Sequence, residues 1–268
     1  MTRASTGPAP ALQWALAQQR RSLLAWGIAI VAVSGLYIGF WPSMESMDIG
    51  AMTDSLPPAM VDALGYDQIG TAAGYLSSTV YGLLAPALLL VFATGKGGSL
   101  VAGDEEAGVL ELESTAPISR RSLYAGRLCA LWAMIAALTA LVGGVTVALL
   151  TPLDMDVAVA DVAATCVGLV ALGGMIGTVA LATGGATGRR SIAIGVGAFA
   201  AVGSFMLDAI GAGTGTSWMV TLSPFSWYLG DDPLQNGLDG SGLVALLVVA
   251  TIAGIIGLVR YERRDLMT

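Results

Sequence analysis

The sequence predicts an all-α polytopic membrane protein with six transmembrane helices and both termini on the cytoplasmic side. Three observations point there. The 268 residues are 55% hydrophobic and 12% charged, with a mean hydropathy of +0.76, whereas a soluble domain carries roughly 25% charged residues. The apolar residues gather into runs of the length that crosses a bilayer, about 20 residues. The basic residues lie beside these runs on one side only: Arg3, Arg20 and Arg21 before the first, Lys96, Arg120, Arg121 and Arg127 around the second connection, Arg189 and Arg190 in the fourth, and Arg260, Arg263 and Arg264 after the last. Loops rich in Lys and Arg stay cytoplasmic, so this spacing sets orientation as well as span number.

Each element follows in order. Residues 1–21 read as a tail and, from Ala9, a short helix. Leu12, Ala15 and Leu16 share one face of it and Gln18, Gln19, Arg20 and Arg21 are polar, the pattern of a helix lying in the membrane interface. Span 1 covers 22–41, with Trp26 and Trp41 as interface anchors, and Pro42 is expected to end it. An acidic outer loop follows, with a helical stretch expected around Ala59–Leu64. Span 2 covers 71–94, where Pro86 is expected to kink the helix. The segment 95–122 returns on the basic side, and span 3 covers 123–150. Span 4 covers 161–183, with Gly173 and Gly177 at helix-packing spacing. A tight Gly-rich turn leads to span 5, 191–210, which carries Asp208 near its outer end. Residues 211–240 form a second large outer loop, and span 6 covers 241–259.

Charge divides the two faces. The outer segments hold twelve acids, among them Asp154, Asp156, Asp161, Asp232 and Asp239, and no Lys or Arg. The inner segments hold all twelve basic residues against seven acids. The inner face therefore suits anionic lipid headgroups. No basic stripe interleaved with aromatics suggests a nucleic-acid partner.

The same composition removes several chemistries. With His 0, serine–histidine catalysis and His metal ligation are excluded. Cys129 and Cys166 fall in opposite leaflets of this topology, which excludes a Cys-rich metal site and argues against a disulfide. The nearest approach to a phosphate-binding loop is Gly95-Lys96, but Gly97 follows where Ser or Thr is required. No cofactor is expected in this chain. The spans lack central charged groups of the kind ion-coupled carriers use, so energy for any transport is expected from another chain. The first apolar run is too long for a cleavable signal.

The most distinctive stretch is Gly103-Asp104-Glu105-Glu106-Ala107-Gly108-Val109-Leu110-Glu111-Leu112-Glu113 and the turn Pro117-Ile118-Ser119-Arg120-Arg121. Its acids cluster at a helix start, where the dipole favours them. Pro117 breaks the helix, and Ser119 is placed to cap the next one. In this stretch the chain resembles the permease subunits of ABC-2-type transporters, whose pattern after span 2 is an acidic G-E-E-x-x-G-T-L-E-like run and a P-[VI]-S-R turn. Gly103, Glu105, Glu106, Gly108, Leu110, Glu111, Pro117, Ile118, Ser119 and Arg120 match. Val109 stands where Thr is usual, and Arg127 where Lys is common. Ser223-Pro224-Phe225 with Trp227-Tyr228 and Pro233-Leu234, and the tail from Tyr261 to Leu266, fit as well.

The resemblance, closest to actinobacterial drug and antibiotic exporters, implies a single permease domain over 1–268 in the plasma membrane. It implies pairing with a second copy or a sister permease, and two cytoplasmic ATPase subunits that hold ATP and Mg. Residues 9–21 become an elbow helix. Asp104–Glu113 becomes the coupling helix, with Asp104, Glu105, Glu106, Gly108, Leu110, Glu111 and Pro117 in or beside the ATPase contact and Arg120 and Arg121 at lipid headgroups. Spans 2 and 5 line the path, and short helices of the last outer loop close it through Pro224, Phe225, Trp227 and Tyr228. For an amphiphilic or hydrophobic cargo, Tyr81, Leu84, Phe199, Phe205 and Met206 are the candidate cavity residues. A membrane anchor or sensor on the same fold is the alternative. It would bind an ATPase and move nothing.

Overall fold

A computed structural model of the chain describes residues 9–45, 70–106, 119–230 and 232–264. The helix expected at Ala59–Leu64, and Gly108, Leu110, Glu111 and Pro117, lie outside them. The described residues form helices and no strand. Six of these helices are long and apolar enough to cross a membrane.

The first span is part of α1 (Ala9–Gly39), which runs without interruption through the segment expected to be a separate interfacial helix. The helix ends before Pro42. A turn at Phe40 intervenes, and Pro42 sits in the first turn of a short second helix, α2 (Trp41–Glu45), where a missing N–H costs nothing.

The second span begins at α3 (Ala72–Tyr75), capped by Thr71, whose hydroxyl accepts from the Gly74 N–H at 3.0 Å. It passes into a π-helical stretch, Leu76–Leu84, and then into α4 (Ala85–Leu100). Pro86 supplies a physical reason for the π geometry. It has no N–H to donate, and its ring crowds the carbonyl four residues back, at Gly82. Wider turns relieve that crowding, and the Ala85 N–H bonds five residues back, to Val80. The helix then outlasts the apolar run. From Ala72 to Leu100 it has 29 residues, about 43 Å at 1.5 Å per residue, against a hydrocarbon core of about 30 Å. Its last turns therefore belong to the basic end of the bundle, and α5 (Ala102–Glu106) follows after Val101.

α6 (Arg120–Leu150) starts at Ser119, whose hydroxyl accepts from the Ser122 N–H at 3.2 Å. α7 (Val159–Thr187) ends at Gly188 and α8 (Arg190–Thr214) at Gly215, both at φ 66, the left-handed cap that glycine adopts without strain. The loop expected on the outer side before the sixth span folds into α9 (Ser217–Leu222), α10 (Pro224–Leu229) and α11 (Pro233–Asn236). α12 (Gly240–Arg263) starts at Asp239, whose carboxylate accepts from the N–H groups of Ser241 and Gly242 at 2.8 and 2.7 Å.

α7 is the centre of the bundle: 67% of its apolar window is buried, against 22% for α1 and α8 and 28% for α12. It packs on α4, α6, α8 and α12, and α1 packs along α6. Lipid tails are as apolar as leucine, so these contacts are held by close van der Waals packing and interhelix hydrogen bonds. Gly97 of α4 lies directly on the Gly177 carbonyl of α7, a crossing that leaves no room for a side chain at Gly97. Trp132 of α6 donates to the Thr178 hydroxyl of α7 at 3.1 Å, and Tyr81 in the π stretch bonds Thr146 of α6 at 2.9 Å. Bonds of this kind contribute about 0.6–2 kcal/mol each in a membrane.

Candidate functional site

Two regions stand out, one in the apolar body and one at the basic end. In the body, the second and fifth spans diverge toward α10 and leave an open groove of about 470 Å³. Leu83, Pro86, Leu90 and Val91 form one wall, Ile194, Ala198, Val202 and Phe205 the other, and Phe225 reaches in from α10. Thr94 carries the single polar side chain of the lining. A site of this composition takes hydrocarbon and aromatic surface and carries no charged side chain.

Local structure explains why α10 sits over that groove. Ser223 caps α10 by accepting from the N–H groups of Phe225 and Ser226, at 3.1 and 3.3 Å. Its own hydroxyl donates to the Ser204 carbonyl of α8 at 2.8 Å. On the other side, the buried Tyr228 hydroxyl donates to the Tyr81 carbonyl in the π stretch at 3.1 Å. Phe225 stands edge-on to Phe205 at 5.3 Å and to Tyr228 at 5.9 Å. One six-residue helix thus bridges both walls of the groove.

Of the five cavity residues named from sequence, Phe205 lines the groove. Tyr81 is fully buried behind the wall, with its hydroxyl on Thr146. Leu84 is half-buried outside the lining, and Phe199 (80% exposed) and Met206 point to the bundle exterior. Of the four outer-loop residues, Phe225 is in the groove and Tyr228 holds α10. Trp227 is half-buried and donates to the Thr221 carbonyl at 2.8 Å, and Pro224 occupies the first turn of α10.

At the basic end, the acids of α5 point to three different helices. Asp104 pairs with Arg127 of α6 at 2.9 Å. Glu105 pairs with Arg264, just past α12. Glu106 accepts from the backbone N–H of Arg190, the first residue of α8, at 2.9 Å. Arg127 is 2% exposed. The sequence placed it in a merely polar first turn, and nothing in its own helix announces a buried charge. Its partner lies in another element, beyond a span end expected at Thr94. Burial pushes the Asp104 carboxyl above the usual carboxylate range, and the Arg127 guanidinium pulls partly against that shift. Arg121 pairs with Glu262, and Arg120 donates to the Arg264 carbonyl at 3.0 Å. Both arginines expected at lipid headgroups therefore reach the end of α12. No cluster of three or more metal-ligating side chains exists among the described residues.

Six apolar crossings, an apolar groove between two of them and a charged end tied to the helix that follows the second define the class: a multi-pass membrane permease. Known families narrow it. The family described as the multidrug efflux system permease Rv1217c, C-terminal domain, matches residues 9–262, and the chain belongs to that family. This membership agrees with the resemblance to ABC-type drug-exporter permeases. No curated protein matches the chain.

Proposed function

We propose that this chain is the membrane-spanning subunit of an ATP-driven exporter that moves a hydrophobic or amphiphilic small molecule out of the cell. The observation that carries the cargo class is the groove between the second and fifth spans, where Thr94 alone interrupts hydrocarbon. In this reading the basic end faces the cytosol of a plasma membrane. The segment that α5 leads into meets a separate ATPase, present twice per complex and holding ATP and Mg. A second permease copy or a sister permease completes the path. The chain binds and reorients cargo, and the partner hydrolyses nucleotide. Driving the cycle requires that the ATPase contact differ between the inward and outward states. In this reading α10, tied to Ser204 and Tyr81, serves as the outer cover of the groove.

The test is co-purification of the permease with its ATPase, reconstitution in liposomes, and rhodamine 6G transport with ATP. ATP-dependent dye movement is expected, with Phe205→Ala and Leu90→Ser each raising the apparent KM for the dye. Wild-type kinetics in both variants would remove the groove assignment. ATPase association with no movement of any amphiphile would favour the anchor or sensor instead.

A further inference from the structure

Asp104 and Glu105 of α5 are turned into the molecule and the exposed Glu106 reaches the start of α8, and this geometry points to an internal role. Consecutive residues on an α-helix step by about 100°, so Asp104, Glu105 and Glu106 face three directions. Each direction holds a partner from a different element: Arg127 on α6, Arg264 beyond α12, and the first N–H of α8. The Glu105–Arg264 pair is enclosed, with the side chains 10% and 16% exposed. A carboxylate so covered offers little surface to another protein. It is also screened by salt far less than a surface pair.

Arg264 makes contacts beyond its pair with Glu105. Its carbonyl accepts from Arg120, and Glu262 two residues earlier pairs with Arg121, so the end of α12 is also stitched to the start of α6. Its guanidinium runs beneath Gly188, the left-handed cap between α7 and α8, where any side chain would collide with it. Glycine at that position is thus required twice, for its backbone angle and for the passage of Arg264.

We propose that Asp104, Glu105 and Glu106 form an intramolecular latch, with Arg264 and Arg127 as its positioning residues. The latch passes the displacement of α5 to the third, fifth and sixth spans together. This rests on the exporter reading, in which α5 leads into the segment the ATPase moves. α5 follows α4 with Val101 alone between them, and Val101 is fully buried. Without the latch, a push on α5 would reach the second span by itself. With it, the inner ends of four spans move as one piece. The acids transmit the motion, and the ATPase is gripped by other residues of the segment.

The experiment compares Glu105→Gln, Arg264→Gln and the charge exchange Glu105→Arg with Arg264→Glu in the reconstituted complex. Two quantities are read: ATPase retained on the permease, and rhodamine 6G moved per ATP hydrolysed. Each single variant is expected to keep the ATPase and to lose about fivefold or more in dye moved per ATP, the lower bound of ordinary coupling energies. The exchange is expected to restore most of it. Wild-type ratios in both singles overturn the latch. So does a Glu105→Gln complex that sheds its ATPase while Arg264→Gln keeps it, because that marks Glu105 as a docking contact. An exchange that restores nothing overturns it too. If Arg264→Gln does not assemble, Arg264→Lys is read in its place: a reduced ratio supports the latch and an unchanged one ends it. A wild-type complex that moves no dye defeats the exporter reading instead, and is recognised before any variant is made.

Discussion

At the basic end, α5, α6, α8 and the tail of α12 are joined by ion pairs and a charge-assisted hydrogen bond between residues as far apart in sequence as Glu105 and Arg264. At the opposite end, α10 is held by neutral hydrogen bonds to Ser204 and Tyr81 and by edge-on aromatic contacts. The first arrangement is directional and costly to break, because a buried charge left without its partner is strongly unfavourable. The second is made of neutral hydrogen bonds, whose net contribution is about 1 kcal/mol each. A permease that must move its parts needs one end to act as a body and the other to part. Here the charges lie where rigidity is wanted, and the neutral contacts lie beside the groove.

The strongest way to break that contrast is Asp104→Leu, which removes the Asp104 carboxylate from the buried Arg127. A loss of about 3–5 kcal/mol is expected, seen as a large fall in the thermal midpoint of the purified protein in detergent. Adding Arg127→Met should recover most of it, since two apolar side chains satisfy that site. Next is Gly97→Val, at the crossing of α4 and α7 that both ends share. Overpacking there should cost about 1–3 kcal/mol and lower protection from hydrogen exchange at both ends alike. A loss confined to one end would show that the two are not joined through the centre. Smaller still is Tyr228→Phe, which removes one hydrogen bond worth about 1 kcal/mol. Faster exchange in α10, with α5 and the start of α6 unchanged, is the expected pattern.

The smallest effect lies in pH. Burial raises the Asp104 carboxyl above its ordinary range, so the folded chain takes up that proton before the unfolded chain does. Its contribution is complete below the ordinary carboxylate pKa and is lost as pH rises through the raised value. The thermal-midpoint advantage of wild type over Asp104→Asn should therefore be greater near about pH 5 than near neutrality. An advantage that grows toward neutral pH would show the Arg127 attraction outweighing burial.

Span number was legible because bilayer thickness imposes one length on every crossing. Pro42, Ser119 and the Gly-rich turn before the fifth span each marked a feature near where it occurs. Helix ends were less legible. The sequence ended the second span at Thr94, before Gly95-Lys96-Gly97-Gly98, yet α4 runs through it, because Gly97 and Gly98 serve close approach to α7 and α8 and tertiary packing offsets their poor propensity. Pro86 announced an irregularity, but not that the turns before it would widen. The groove could be assigned to the second and fifth spans, but not side chain by side chain. Phe205 and Phe199 are both aromatic residues of one helix, and which of them faces the second span depends on how α8 is rotated, which no local pattern fixes. Arg127 was the least legible, since its burial depends on an acid reached only after the second span has extended beyond the apolar run.

The π-helical stretch Leu76–Leu84 has a mechanical meaning. Such coils hold more residues per unit of rise than ordinary α turns, so the second span contains slack. Drawing one residue out of that register would lengthen the crossing and twist everything above it by about 100°. The Tyr81 carbonyl that receives Tyr228 would swing away with it. Uncoiling in one wall would thereby also break one of the ties that hold α10 beside the groove.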